Sequence, residues 1–145
     1  PLRRGVAVVS HLADKSALAR FHVPAVAARL RPLVDAGLVG TCGIVELEMR
    51  WSARSHAELQ AVVADRERGY EWLPMPDEVW SRALELQRAL SARGRLRSVR
   101  FPDLLLAATA ERHGVTVLHY DRDFDLLAEV SDLRAEWVVP VGSVP

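Results

Sequence analysis

Residues 102–121 read PDLLLAATAERHGVTVLHYD, and the change of period inside this stretch decides the fold. The first part, Pro102 to His113, is apolar nearly all round. It predicts a buried helix, opened by Pro102 and Asp103 and stopped at Gly114. Val115 to Tyr120 then reads as a short strand buried on both faces, the kind found in parallel sheets. Asp121 follows at its end. A buried helix feeding a buried strand, with one acid at the start of the first and another at the end of the second, is the repeating unit of an α/β domain.

Working outward, Val6 to Ala13 is a valine-rich run that closes at Asp14, the pattern of a first buried strand. Ser16 to Phe21 predicts a helical turn. Pro24 opens a helix with Val26, Leu30, Leu33 and Val34 on one face, kinked by Pro32 and ended by Gly37. Thr41 is read as the cap of a third helix whose inner stripe is Ile44, Leu47 and Trp51, with Glu46 off that stripe and Trp51 in the core. His56 to Gly69 predicts a more polar helix and Glu71 to Met75 a short strand. Asp77 to Ala92 carries Val79, Ala83, Leu86 and Leu90 at helical spacing. Phe124 to Val130 predicts a last helix and Trp137 to Pro140 a last strand. The expectation is an α/β fold: a mainly parallel central sheet of about four to five strands flanked by helices, with residues 1–145 forming one domain.

Composition narrows the function classes. Half the residues are hydrophobic and 26% are charged, which suits a folded globular chain and excludes a disordered one. No apolar run approaches the roughly 20 residues that span a bilayer, and Val6 to Val9 is too short for a signal-peptide core, so the expected location is the cytoplasm. Cys42 stands alone, which rules out an intramolecular disulfide and a multi-cysteine zinc site. Formal charge is zero, yet every basic residue except Lys15 is arginine. That bias suits phosphate recognition but is read first as the mark of a GC-rich genome. The sequence opens on Pro1 and not on methionine; its first residues are read as trimmed or foreign.

Ligands of parallel sheets bind beyond the carboxyl ends of the strands. Asp14 and Asp121 both fall there, Asp103 opens a buried helix, and Glu46 sits in the early turns of another, so one crevice can collect all four. Acids that close repel one another and raise each other's pKa unless a cation neutralises them. Mg²⁺ is the natural candidate, because it prefers oxygen ligands, keeps several waters and bridges to phosphate. The chemistry that follows is metal-assisted hydrolysis of a phosphodiester. Each acid also has an ordinary role open to it: Asp103 in a first helical turn, Asp121 as a cap, Glu46 paired with Arg50 at i+4. Asp14 has the least evident structural purpose.

These residues resemble a known family. LADKSAL around Asp14, VELE around Glu46, FPDLLLAATAERHG around Asp103, TVLHYDRDFDLLAEV around Asp121 and the closing EWVVPVGS are similar to the PIN-domain ribonucleases, specifically the VapC-type toxins of bacterial toxin-antitoxin pairs. The resemblance implies that Asp14, Glu46, Asp103 and Asp121 bind Mg²⁺, with Mn²⁺ as a substitute, and that Asp123 is a fifth member, Asp125 a weaker one. It also implies endonucleolytic cleavage of RNA, inhibition by a small cognate VapB-type antitoxin, and homodimers. Ser16, two after the first acid, would orient Asp14 or a bound water. Where many relatives place a small hydroxyl residue two before the fourth acid, this chain has His119.

Arg93, Arg95, Arg97 and Arg100 precede Asp103 without an intervening acid; they read equally as RNA-phosphate contacts or as a solvated loop, with Arg97 or a second metal expected on the leaving side. Asp121, Asp123 and Asp125 mimic a calcium loop, but Leu126 occupies the place that needs glycine. The histidines show no metal-ligand spacing, and the four tryptophans read as core or interface. A receiver domain would need a lysine after a late strand, and a haloacid-dehalogenase-type phosphatase a second aspartate where Ser16 stands. The remaining alternative is a catalytically inactive PIN-fold protein that binds RNA or a partner without cutting.

Overall fold

The computed structural model describes residues 8–145. Its strands are β1 (His11–Ala13), β2 (Val39–Thr41), β3 (Glu71–Trp72), β4 (Thr116–His119) and β5 (Ala135–Trp137). The helices are α1 (Lys15–Leu18), α2 (Pro24–Asp35), α3 (Gly43–Trp51), α4 (His56–Gly69), α5 (Asp77–Ala92), α6 (Phe101–His113) and α7 (Asp123–Glu129). All five strands run parallel in the order β3-β2-β1-β4-β5. From β1 the chain winds one way through β2 and β3, then returns to the other side for β4 and β5. The loops after β1 and β4 therefore diverge and leave a crevice between them, which is where such sheets bind ligands.

The core lies between the sheet and its helices. Leu12 of β1 faces Gly40 of β2 and Val117 of β4, and both Leu12 and Val117 are fully buried. Helix α6 is buried from Leu104 through Ala110, so its all-round apolar sequence is matched by the packing. It ends at Gly114, whose φ of 65° places it in the left-handed region that favours glycine. Helix α5 buries Val79, Ala83, Leu86 and Leu90, the expected stripe.

Several expectations are corrected. The first strand is limited to His11–Ala13; Val6 and Ala7 lie outside the described residues. The strand at 71–75 is only Glu71–Trp72, and the last strand sits two residues earlier than Trp137 to Pro140 predicted, at Ala135–Trp137. β2 was not foreseen. It has three residues around Gly40, where an added Cβ would meet the Leu73 side chain, just past β3, at 2.7 Å; the glycine leaves that side chain its place, and glycine hid the strand pattern. Thr41 belongs to β2 and does not cap α3, whose N-cap is Cys42.

Helix α3 is turned from the expected phase. It buries Val45 and Glu46, while Leu47 is 68% and Trp51 86% exposed. Trp72 and Trp80 are exposed too. The apolar spacing admitted two phases, and a buried ion pair that no periodicity reveals selects the other one.

Candidate metal centre

That ion pair is Glu46 with Arg66. Arg66 Nε donates to Glu46 Oε2 at 2.7 Å, Thr41 Oγ1 donates to the same oxygen at 2.6 Å, and Arg50 reaches Oε1 at 3.3 Å. Glu46 and Arg66 are 6% and 7% exposed. Burial pushes the Glu46 carboxyl up, but the hydrogen bonds from Thr41 and Arg66 outweigh it and leave the carboxyl below its ordinary value. Glu46 is thus an ionised structural anchor between β2, α3 and α4, and the structure does not bring it to the other acids. The expectation that it joins them is corrected: residues two apart on a helix point roughly 200° apart, so the helix that buries Glu46 aims Glu48 the other way. Glu48 lines the acidic cleft.

The cleft has a volume of about 360 Å³ and lies at the carboxyl ends of β1 and β4. Asp14, Glu48, Asp103, Asp121 and Asp123 line it, together with Ser16 and the cations Lys15, Arg20 and Arg100. Among the described residues, Asp103, Asp121 and Asp123 each offer a carboxylate oxygen within 4.8 Å of the others.

Each acid is placed by local chemistry. Asp14 does have a structural task, because it caps α1: Oδ2 accepts the Ser16 backbone N–H at 2.9 Å and the Ser16 hydroxyl at 2.5 Å. The Ser16 hydroxyl in turn accepts the Tyr120 N–H at 2.8 Å, and the Asp14 N–H donates to Leu118 O at 2.9 Å. Ser16 therefore ties the β1 loop to the β4 loop. Of the two roles open to it in sequence, its bonds serve the orientation of Asp14. Asp103 lies in the first turn of α6, behind Pro102, where the helix dipole favours a carboxylate. Asp121 Oδ1 accepts the Asp123 N–H at 2.9 Å, the local bond of an Asx-turn, which puts both side chains at the head of α7.

His119 stands behind Asp121. It is fully buried, its ring lies 5.0 Å from the Phe124 and Trp137 rings, and its Nδ1 accepts the Asp121 N–H at 3.2 Å. That bond requires the proton on Nε2, which is buried with no hydrogen-bond partner among the described residues. Burial holds its pKa below the ordinary value, so the ring is neutral and supports the backbone of Asp121. Asp125 lies outside the cleft; both its oxygens face Trp137 Nε1, at 3.1 and 3.2 Å.

The electrostatics are those of a site built around positive charge. Burial, and then the charges of Asp14, Asp121, Glu48 and Asp123, push the Asp103 carboxyl up to about 8. Glu48 is raised by burial and by Asp14, Asp123 by burial and by Asp121. Oxygen donors of this number, mutually repelling and half desolvated, fit a hard divalent cation. Lys15 and Arg20 were not expected as part of the cleft, although Lys15 directly follows Asp14.

The predicted arginine group is divided. Arg100 lines the cleft and approaches Glu48 at 3.8 Å. Arg97 lies in the adjoining groove, away from the acids, Arg95 in a hollow beyond Asp123, and Arg93 pairs with Glu129 at 3.4 Å. Of the four arginines, only Arg100 lines the acidic cleft, and Arg97, expected at the leaving side, does not.

Comparison with known proteins agrees with the fold. The family model described as PIN domain matches residues 11–130. Ribonuclease VapC21 of Mycobacterium tuberculosis is 47% identical over 133 residues, covering 92% of this chain and 96% of that protein. VapBC2 from Rickettsia felis, solved bound to a DNA fragment from its promoter, superposes with a TM-score of 0.72 at 15% identity, over 90% of this chain and 98% of that one. VapBC-5 from Mycobacterium tuberculosis, a member of the VapBC family of toxin-antitoxin systems, does so with 0.61 at 22% identity, over 89% and 98%. The two structural likenesses speak for the fold alone, whereas the family match and the close relative settle the lineage: the chain belongs to the PIN-domain family, in its VapC group.

Proposed function

We propose that this chain is a metal-dependent endoribonuclease that cleaves RNA phosphodiesters, acts as a growth-inhibiting toxin and is neutralised by a cognate VapB-type antitoxin. The observation that carries the reading is the convergence of Asp14, Glu48, Asp103, Asp121 and Asp123 on one cleft, with Asp103 held up at about 8. The name of the close relative supports the ribonuclease, and membership of its VapC group supports the antitoxin.

Asp14, Glu48, Asp103 and Asp121 are the proposed holders of the cation, Mg²⁺ with Mn²⁺ as substitute, and Asp123 assists from the rim. When bound, the cation supplies an activated water and neutralises charge on the scissile phosphate. Asp103 would give up its proton as the cation enters, and it shares the cleft lining with Asp14. Arg100, at the cleft's edge, takes a phosphate oxygen on the leaving side. Ser16 holds Asp14, and His119 holds the backbone of Asp121. Residues 1–145 act as one domain, in the cytoplasm and as a homodimer.

The test is cleavage of RNA with and without Mg²⁺ by the wild type, Asp14→Asn and Asp103→Asn. Both substitutions are expected to abolish cutting and growth inhibition while the fold survives. Undiminished cutting by either variant would overturn the assignment. RNA that is bound and never cut would favour a binding protein of the same fold.

A further inference from the structure

Beside the acidic cleft runs a second and larger hollow. It has a volume of about 650 Å³ and is lined by Gln87, Leu96, Arg97, Val99, Arg100, Phe101 and Pro102. Arg100 belongs to both, so the two adjoin at that residue. Phe101 opens α6 two residues before Asp103 and is 73% exposed, with Leu96 48% exposed on the same groove. Pro102 locks the backbone on which Phe101 stands. Arg97 has no carboxylate partner among the described residues, and Arg100 makes only the long 3.8 Å approach to Glu48 while 76% exposed.

We propose that this groove is a base-binding subsite for single-stranded RNA: a nucleobase stacks on Phe101 while Arg97 takes the neighbouring phosphate, positioning the scissile phosphate in the acidic cleft. The inference rests on the ribonuclease reading of that cleft. An aromatic platform beside a cationic track is how sequence-tolerant single-strand sites are built, because every base has a face to stack and every residue a phosphate. Gln87, on the wall, carries both donor and acceptor and can read a base edge. A protein partner would also cover Phe101 and Leu96. It would leave Arg97 without a counter-charge unless it brought an acid, whereas an RNA strand entering the cleft through Arg100 brings the anion with the base.

The test uses the full chain and a short fluorescein-labelled single-stranded RNA. Its binding is followed by anisotropy in EDTA and its cleavage in Mg²⁺. Phe101→Ala is expected to weaken binding about tenfold or more, the range for one stacked base, and to raise KM by the same factor with kcat unchanged. Phe101→Trp is expected to restore both. Arg97→Ala is expected to weaken binding and flatten its salt dependence by about 0.7 in the log–log slope, the share of one single-strand phosphate. Mn²⁺ binding measured by calorimetry stays at the wild-type value in all three. If wild type cuts RNA and Phe101→Ala binds and cuts as well as it does, the subsite is refuted while the nuclease stands. If Phe101→Ala instead dissociates a dimer in sedimentation with RNA affinity intact, the face belongs to a second copy and the proposal is overturned. If wild type neither binds nor cuts any RNA, the parent reading is what fails.

Discussion

Two glutamates two residues apart on α3 are assigned opposite duties, and substituting each with glutamine separates them. Glu46→Gln removes the one charge paired with Arg66 among the described residues, a guanidinium 7% exposed and 2.7 Å from it. Breaking a buried ion pair by removing one partner costs about 3–5 kcal/mol, because the other charge is left buried and uncompensated. Glutamine keeps one acceptor for Thr41 or Arg66, so the lower end, about 3 kcal/mol, is expected. For a chain of this size that corresponds to a fall in Tm of about 10 °C. The carboxylates of the cleft are untouched, so cleavage assayed well below the transition should stay near the wild-type rate. Glu48→Gln should do the reverse: cutting lost, and melting in the absence of metal unchanged or raised, since burial and Asp14 already oppose the Glu48 charge. Calorimetric melts and RNA cleavage on the same preparations decide it. A Glu46→Gln protein that melts with the wild type but no longer cuts would refute the assignment.

Further outcomes follow from the same geometry. A carboxyl raised to about 8 in the folded chain binds its proton more tightly there than in the unfolded chain, so metal-free stability should fall as pH rises from about 4 to about 8. Asp103→Asn should remove most of that slope and raise metal-free stability at pH 8 by about 2 kcal/mol after allowance for the open side of the cleft; melts in EDTA across this range check it, and an unchanged slope would count against the clustered charge. Ser16→Ala deprives Tyr120 N–H of its acceptor and Asp14 of its hydroxyl donor, so a loss of about 1–3 kcal/mol with weakened Mn²⁺ binding is expected, read by melts and calorimetry. His119→Leu leaves the Asp121 N–H without its acceptor and should likewise weaken Mn²⁺ binding. His119→Asn, which can offer an oxygen in place of Nδ1, should recover part of it.

How far the sequence alone carries depends on the range of the interaction that fixes each element. Helices α4 and α5 are bounded as their caps and spacing indicate, Ser55 accepting the Glu58 N–H at 3.0 Å at the head of α4, because capping and periodicity are local. Asp14, Asp103 and Asp121 could be placed together because the end of a buried strand and the start of a buried helix are also local signals, and parallel topology does the rest. The phase of α3 could not. It is set by Arg66, twenty residues on, and a carboxylate facing inward breaks the rule that inner stripes are apolar. Placing Glu46 among the cleft acids, with Glu48 unconsidered, followed from that one miss. β2 escaped for a related reason, since Gly40 is demanded by Leu73 of a neighbouring segment and reads locally as a breaker.

The claim beneath all of this is that the cleft acids are held together for a divalent cation. Titration calorimetry with Mn²⁺ at pH 7, repeated in buffers of different ionisation enthalpy, counts the protons displaced as the ion enters. With Asp103 at about 8, binding should release close to one proton, and Asp103→Asn should abolish that release and weaken the binding. No binding at all, or binding of equal strength with no proton released, would contradict the account.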